Sequence, residues 1–381
     1  MKKSFSIVLI IIFCQFVFSQ DKYDLKGTLG NLPIYMAFED YTQLGNSQDN
    51  EITDVRYFYT TSLKDIVLRG NKVGNQFSFE NDDEKIILVK NKKGEFTGTW
   101  ENKKNQKKLA VNLSRNIIQE KNEPLQQKYE IIDSLIKSND VYTYSKVGYI
   151  KLKRDSVATY KGKEFVWFSE EHCSAPYFRL GNGFSKKQLE TINPILDNLH
   201  MQNILGQLSC STEYNYSEGN GIETTIDLTY LDQNLLGFED FSSWDCGGAH
   251  PDFGGTGYLL DLNSGKSYDI NDILAFDKSV TTEEKGGFDA YSDYQEKYFA
   301  PNIVKLMINQ HDFTESTDEE DVCDYTEEEY WDFPSWSYTE QGIYFTPHFY
   351  RAARGCDEPF LLPFSVLKKY KNPNFKYDFP K

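Results

Sequence analysis

Ile222-Glu223-Thr224-Thr225-Ile226-Asp227-Leu228-Thr229-Tyr230-Leu231 alternates apolar and polar residues, and a second patterned run, 235–244, follows three residues later. Then come Cys246-Gly247-Gly248-Ala249-His250-Pro251 and a third run ending in Asp261-Leu262-Asn263-Ser264-Gly265-Lys266. Successive side chains of a strand point to opposite faces, so alternation with a period of two predicts a half-buried antiparallel strand. Leu262-Asn263-Ser264-Gly265-Lys266 carries the residues of a tight turn that ends in a left-handed glycine. The stretch therefore predicts an antiparallel sheet within an α+β domain. It names a kind of domain and no chemistry.

Working outward, 125–138 shows a helical stripe at Leu125, Tyr129, Ile132, Leu135 and Ile136. Strands are predicted at 147–152 and 165–168. Ser185-Lys186-Lys187-Gln188 has the form of a capping box opening a helix. That helix buries Leu189, Ile192, Leu196 and Leu199, with Pro194 bending it or delaying its regular start. Beyond the sheet, a helical region at 291–310 is interrupted at Pro301. A closing strand is predicted at 342–346, strand character at 360–363, and a short helix from Ser365.

Residues 22–114 form a separate pattern. Eight short candidate strands (23–28, 32–38, 55–60, 65–69, 76–80, 85–89, 95–100 and 108–113) are separated by turns rich in Gly, Asn, Asp and Lys. That spacing argues for an antiparallel all-β barrel or sandwich. The predicted organisation is thus an antiparallel β domain at 20–115, a polar linker at 116–124 ending in Pro124, and an α+β domain at 125–381. The chain opens with Lys2 and Lys3, then an apolar run at 6–18 with small residues before Gln20. This predicts a cleaved signal peptide over 1–19 and a secreted or periplasmic protein with no membrane span after cleavage. Phe13 and the continuing apolar run argue against lipidation of Cys14.

The 381 residues include 41 Lys and Arg against 58 Asp and Glu, a net charge of −17. Residues 20–124 are balanced, and 125–381 hold 23 basic and 42 acidic residues. Such a field repels nucleic acid and anionic lipid and attracts cations or basic proteins. Five cysteines follow the signal segment: Cys173, Cys210, Cys246, Cys323 and Cys356. Export permits disulfides, and the odd count leaves one over. The expected pairs are Cys173–Cys210 and Cys323–Cys356, with Cys246 unpaired, although sequence does not fix connectivity. Close zinc-ligand spacing is absent, so no metal or other cofactor is expected.

No motif completes a catalytic constellation. There is no nucleophile elbow, no His-Glu-x-x-His and no phosphate-binding glycine loop. His250, with Asp252 close by, reads as a ligand contact or an acid/base group, or as a ring that locks a glycine turn. The turn role is the expected one, because a catalytic histidine needs a partner held in place. The acidic tract 315–329 lacks the glycine and the ligand order of a calcium loop. Its Glu327, Glu328 and Glu329 read as a solvated or docking face. Aromatics crowd the end of the chain and are expected mainly to fill the core, with Trp331 and Trp336 the best candidates for exposed faces that bind a sugar or a protein.

Three features carry a resemblance. They are Gly247-Gly248-Ala249-His250-Pro251, the hairpin Leu260-Asp261-Leu262-Asn263-Ser264-Gly265-Lys266 with Asp269-Ile270-Asn271-Asp272-Ile273-Leu274, and Gly342-Ile343-Tyr344-Phe345-Thr346-Pro347-His348. Over roughly 220–370 the chain resembles the extracytoplasmic sensor domain of lysozyme-responsive anti-sigma factors. That domain of unknown function also accompanies secreted polysaccharide deacetylases. The resemblance implies an α+β fold with an antiparallel sheet, and a cationic partner such as lysozyme. The cytoplasmic domain and membrane span of an anti-sigma factor, and the metal-binding histidine pair of a deacetylase, have no counterpart in the sequence. The expected function is non-catalytic recognition of a protein or a cell-wall glycan at the envelope. The alternative is an envelope hydrolase acting on cell-wall polysaccharide or peptidoglycan. An aromatic groove beside convergent carboxylates would favour the hydrolase.

Overall fold

The structure, a computed structural model, describes residues 21–41, 51–118, 129–210, 221–246, 250–311, 313 and 323–380. The expected signal segment, most of the linker, Gly247 and Gly248, and the acidic residues 315–321 lie outside the described residues. The chain divides into two units, one holding the residues up to 118 with 135–149, the other 129–134 with 150–380.

In the first unit the eight expected strands form a closed barrel. They are β1 (Asp21–Leu29), β2 (Leu32–Asp40), β3 (Glu51–Tyr59), β4 (Ile66–Val73), β5 (Gln76–Glu80), β6 (Glu84–Lys90), β7 (Phe96–Asn102) and β8 (Lys108–Arg115). Neighbours in sequence pair throughout, and β8 returns to β1 from Leu25↔Arg115 to Leu29↔Val111. Closure removes the exposed edges that a sandwich would keep. The inward positions are packed with Met36, Phe38, Tyr57, Phe77, Phe79 and Leu88. Glu84 is buried among them, and the Tyr57 hydroxyl donates to both its oxygens at 2.8 and 2.9 Å, with the Trp100 indole as a further donor. Burial raises the Glu84 carboxyl, and those donors oppose the rise.

Two short helices follow, α1 (Ile131–Lys137) and α2 (Val141–Val147). The strand expected at 147–152 is not there. Asp140 caps α2 through the Thr143 amide at 3.0 Å, and that local bond commits the chain to a helix. Within the first unit, α2 directs Lys146 onto Asp65 at 2.7 Å, both side chains almost fully buried, and Tyr142 donates to the same carboxylate. Burial lowers the Lys146 ammonium, and the Asp65 charge opposes this.

The second unit carries three antiparallel sheets of three strands each. The first comprises β9 (Leu152–Tyr160), β10 (Lys163–Glu170) and β11 (Cys173–Leu180). Helix α3 (Lys186–Ser209) opens on the expected capping box, Ser185 to the Gln188 amide and Gln188 back to the Ser185 amide, and runs through Pro194. It buries Ile192, Leu196, His200, Ile204 and Leu208. The stretch quoted at the outset forms the second sheet: β12 (Gly221–Leu231), β13 (Leu235–Asp245) and β14 (Asp252–Asp261). A bulge between Leu228 and Tyr230 breaks the alternation of β12. The extra residue, Thr229, shifts the phase, so that Leu231 rather than Tyr230 continues the face of Ile226 and Leu228. Tyr230 enters the core around Ile303 and Phe345, and Leu231 enters the core around Leu196 and Phe238.

After α4 (Ile270–Ile273) and α5 (Glu283–Tyr294), a π-helical turn over Gln295–Phe299 leads into α6 (Ala300–Gln310). Pro301 sits in the first turn of α6, where its missing N–H costs nothing, so the expected interruption is a junction of helices. The third sheet holds β15 (Ser335–Tyr338), β16 (Gly342–Thr346) and β17 (Phe360–Pro363), followed by α7 (Phe364–Leu367). β15 lies against β14, and a Cβ on Gly257 would fall 1.7 Å from the Trp336 carbonyl oxygen, so only glycine permits the approach. The protein is thus an antiparallel barrel followed by an α+β region of antiparallel sheets and helices. Among the described residues no helix is long and apolar enough to cross a membrane.

Among the described residues two disulfides are present. Cys323–Cys356 is as expected, but Cys210 bonds Cys246 rather than Cys173, correcting both the first pair and the unpaired Cys246. The reason is tertiary: Cys210 ends α3 and Cys246 follows β13, which brings their Cα atoms to 4.9 Å.

Candidate functional site: an aromatic groove between two sheets

A groove of about 630 Å³ opens where the outer ends of β13 and β14 meet β15 and β16 in the second unit. Phe241 and Trp244 reach it from β13, Trp336 from β15 and Tyr344 from β16. Asp252-Phe253-Gly254-Gly255 supplies its β14 side. The two glycines make room: a Cβ on Gly255 would lie 2.7 Å from Glu239 Oε1, and one on Gly254 would touch the Trp244 ring at 3.7 Å. The bulged Thr229 also lines the groove, and its hydroxyl is buried without a hydrogen-bond partner among the described residues.

One end of the groove is organised by Arg354, which the turn Arg351–Cys356 presents. Its guanidinium pairs with Asp357 at 2.8 Å and Asp252 at 3.2 Å, lies 4.8 Å over the Phe253 ring, and donates to the Phe253 carbonyl. It also meets His348 Nδ1 at 2.6 Å. Arginine only donates, so Nδ1 accepts in this contact. The Cys323–Cys356 bridge pins the turn that carries Arg354. Arg354 Nε is buried and has no hydrogen-bond partner among the described residues. Glu239 differs from the other two carboxylates. Among the described residues no cation pairs with it, and burial, then the Asp227 charge, raises its carboxyl.

The sequence-predicted residues divide. Asp252 and Trp336 both line this groove. His250 is exposed, and its carbonyl accepts from Arg351 at 2.7 Å, so the backbone rather than the ring makes the contact. Glu327, Glu328 and Glu329 are exposed, and Glu329 borders a smaller recess of about 470 Å³ with Tyr330, Tyr350 and Arg351. Trp331 is not an exposed residue. It is fully buried, donates its indole N–H to the Tyr325 carbonyl at 3.0 Å and packs on Phe360, because a tryptophan can fill a core while keeping one donor satisfied. The acidic surface still registers at Asp332, whose carboxyl is pushed up to about 6 by burial and then by Glu296, Glu328 and Glu329. Sequence reading missed Glu239, Phe241, Trp244, His348 and Arg354 as a group. Two apolar rings at the end of a strand run, Phe241 and Trp244, were the available signal.

No protein-family model and no curated protein matches the chain. Among solved structures it is similar to a DUF3298-family protein of Pseudomonas aeruginosa PAO1, at 16% identity and a TM-score of 0.32, over 61% of this chain and 97% of that one. It is also similar to a DUF3298-family member of Bacteroides fragilis, at 12% identity and a TM-score of 0.30, over 59% and 94%. Likenesses at this level decide neither the fold nor the function of this chain.

Proposed function

We propose that the protein is an extracytoplasmic, non-catalytic binding protein of the cell envelope, and that the aromatic groove of its second unit holds a glycan chain. The groove itself carries this reading: Phe241, Trp244, Trp336 and Tyr344 converge there with buried polar atoms that lack partners. Aromatic faces receive the apolar faces of sugar rings, and unpartnered donors and acceptors receive hydroxyls. Carboxylates converge on the groove, as the hydrolase alternative requires. However, Asp252 and Asp357 share one guanidinium, and a glycosidase needs two carboxyl groups available on either side of the scissile bond. Of the three carboxylates only Glu239 is outside the Arg354 ion pairs, one short of the pair a glycosidase uses, and this supports binding over turnover. Two disulfides support an oxidising compartment. With Trp331 in the core, the acidic face of Glu327, Glu328 and Glu329 loses its expected anchor, so a docked cationic protein such as lysozyme is the weaker reading.

The test is calorimetric titration of the exported protein with soluble envelope oligosaccharides, alongside reducing-end assays. Binding that Trp336→Ala abolishes, with no new reducing ends, is the expected result. Release of reducing ends, or the absence of any binding, would overturn the reading.

A further inference from the structure

The groove has a charge that a neutral glycan leaves unanswered. Its lining holds three carboxylates, Glu239, Asp252 and Asp357, against the single guanidinium of Arg354, a formal surplus of two negative charges. Arg354 is already committed to Asp252, Asp357 and His348, and its side chain is only 12% exposed. Glu239 lies on β13, half-buried, over the backbone of Gly255 and beside Phe241, with the Ser337 hydroxyl as its polar neighbour and, among the described residues, no cation. A half-buried carboxylate with no cation is an unfavourable arrangement, stable in a binding site when the ligand brings the counter-charge.

Building on the glycan reading above, we infer that the groove is selective for an amine-bearing glycan, whose protonated amino group pairs with Glu239 among the aromatic rings. The chemistry is complementary on three counts. An ammonium donates charge-assisted hydrogen bonds to a carboxylate. Ring faces attract a cation, most strongly where water is excluded. An acidic sugar would meet like charge at Glu239 without displacing Arg354 from its partners. The glycine at 255 fits this role, since a Cβ there would lie 2.7 Å from Glu239 Oε1 and shift the carboxylate.

The probes are a β-1,4-linked glucosamine hexamer, the same hexamer fully N-acetylated, and tetralysine, titrated into the full exported chain. The glucosamine hexamer is expected to bind at least tenfold more tightly than the acetylated one. Glu239→Gln should remove most of that preference. Raising the salt from 50 to 500 mM should weaken the wild-type preference, a measurement that needs no variant. Equal affinity for the two hexamers, or a preference indifferent to both Glu239→Gln and salt, overturns the amine inference while leaving glycan binding intact. Binding of neither hexamer overturns both readings. Tetralysine binding as tight as the glucosamine hexamer overturns the glycan component and assigns the groove to a basic peptide.

Discussion

Asp261 shows how one residue joins local and distant chemistry. Its Oδ1 accepts from the Asn263 and Ser264 amides at 2.9 and 3.1 Å, which fixes the predicted turn, and Gly265 closes it at φ 76°. Its Oδ2 accepts from Tyr377 at 2.7 Å and Lys376 at 2.6 Å, near the end of the chain. Burial alone would raise its carboxyl, but these donors together hold it well below the usual range. Asp261→Ala should cost about 3 kcal/mol in urea unfolding. Asp261→Asn should cost clearly less, because the amide oxygen still accepts in the turn. His200 responds to pH. It is buried between the Arg179 guanidinium and the Ala175 carbonyl, and burial, then Arg179, lowers it to about 4. The unfolded chain therefore binds a proton that the folded chain refuses between about pH 6.5 and 4. Stability should fall across that window by on the order of 3 kcal/mol and level off below it. Asp332 works in the opposite sense, since a carboxyl raised to about 6 gains stability as pH drops through that value. Chemical unfolding from pH 4 to 8 separates them: His200→Gln should flatten the acid-side loss, and Asp332→Asn should steepen it.

Among the elements, the contact between β14 and β15 builds the groove. Gly257→Ala should push β15 away, destabilise the protein by about 3 kcal/mol and abolish ligand binding, because Trp336 lies on the displaced strand. A stable variant that binds normally would show that β15 does not position the groove. The Cys210–Cys246 bridge closes a loop with a sequence separation of 36, which stabilises by about 3–4 kcal/mol in the chain-entropy account. Non-reducing digestion of the exported protein should recover the Cys210 peptide joined to the Cys246 peptide. Recovery joined to Cys173 would refute that pairing. The capping box of α3 and the eight strands were legible because caps, turns and period-two alternation act within a few residues. The missed helix α2 was also local in cause, but its single cap at Asp140 lay beside Val147-Gly148-Tyr149-Ile150, which reads as a strand.

At the scale of the whole molecule, the first unit takes residues 135–149 as well as the barrel strands. We expect a fragment of residues 21–150 to unfold cooperatively, and one of 21–118 to melt at a lower temperature, having lost the cover of Phe58 by Tyr142. Lys146→Met should cost about 3–5 kcal/mol, since it strands the buried Asp65. Identical melting of the two fragments would place the boundary at the end of β8. Local pattern specifies the strands of the barrel, the hairpin at 261–266, the start of α3 and the acidity of the later residues. Each depends on neighbours in the chain or on simple counting. Tertiary structure alone decided the rest. Barrel closure pairs β1 with β8, the first strand with the last. The bridge of Cys210 depends on where a helix and a strand end. Trp331 and Trp336 are alike in kind and five residues apart, yet one fills a core and the other lines a groove. Arg354 meets Asp252 across about a hundred residues, and among the described residues no cation reaches Glu239, which no local pattern records. Periodicity tells which face of an element is buried; what that face meets is settled only when distant elements pack.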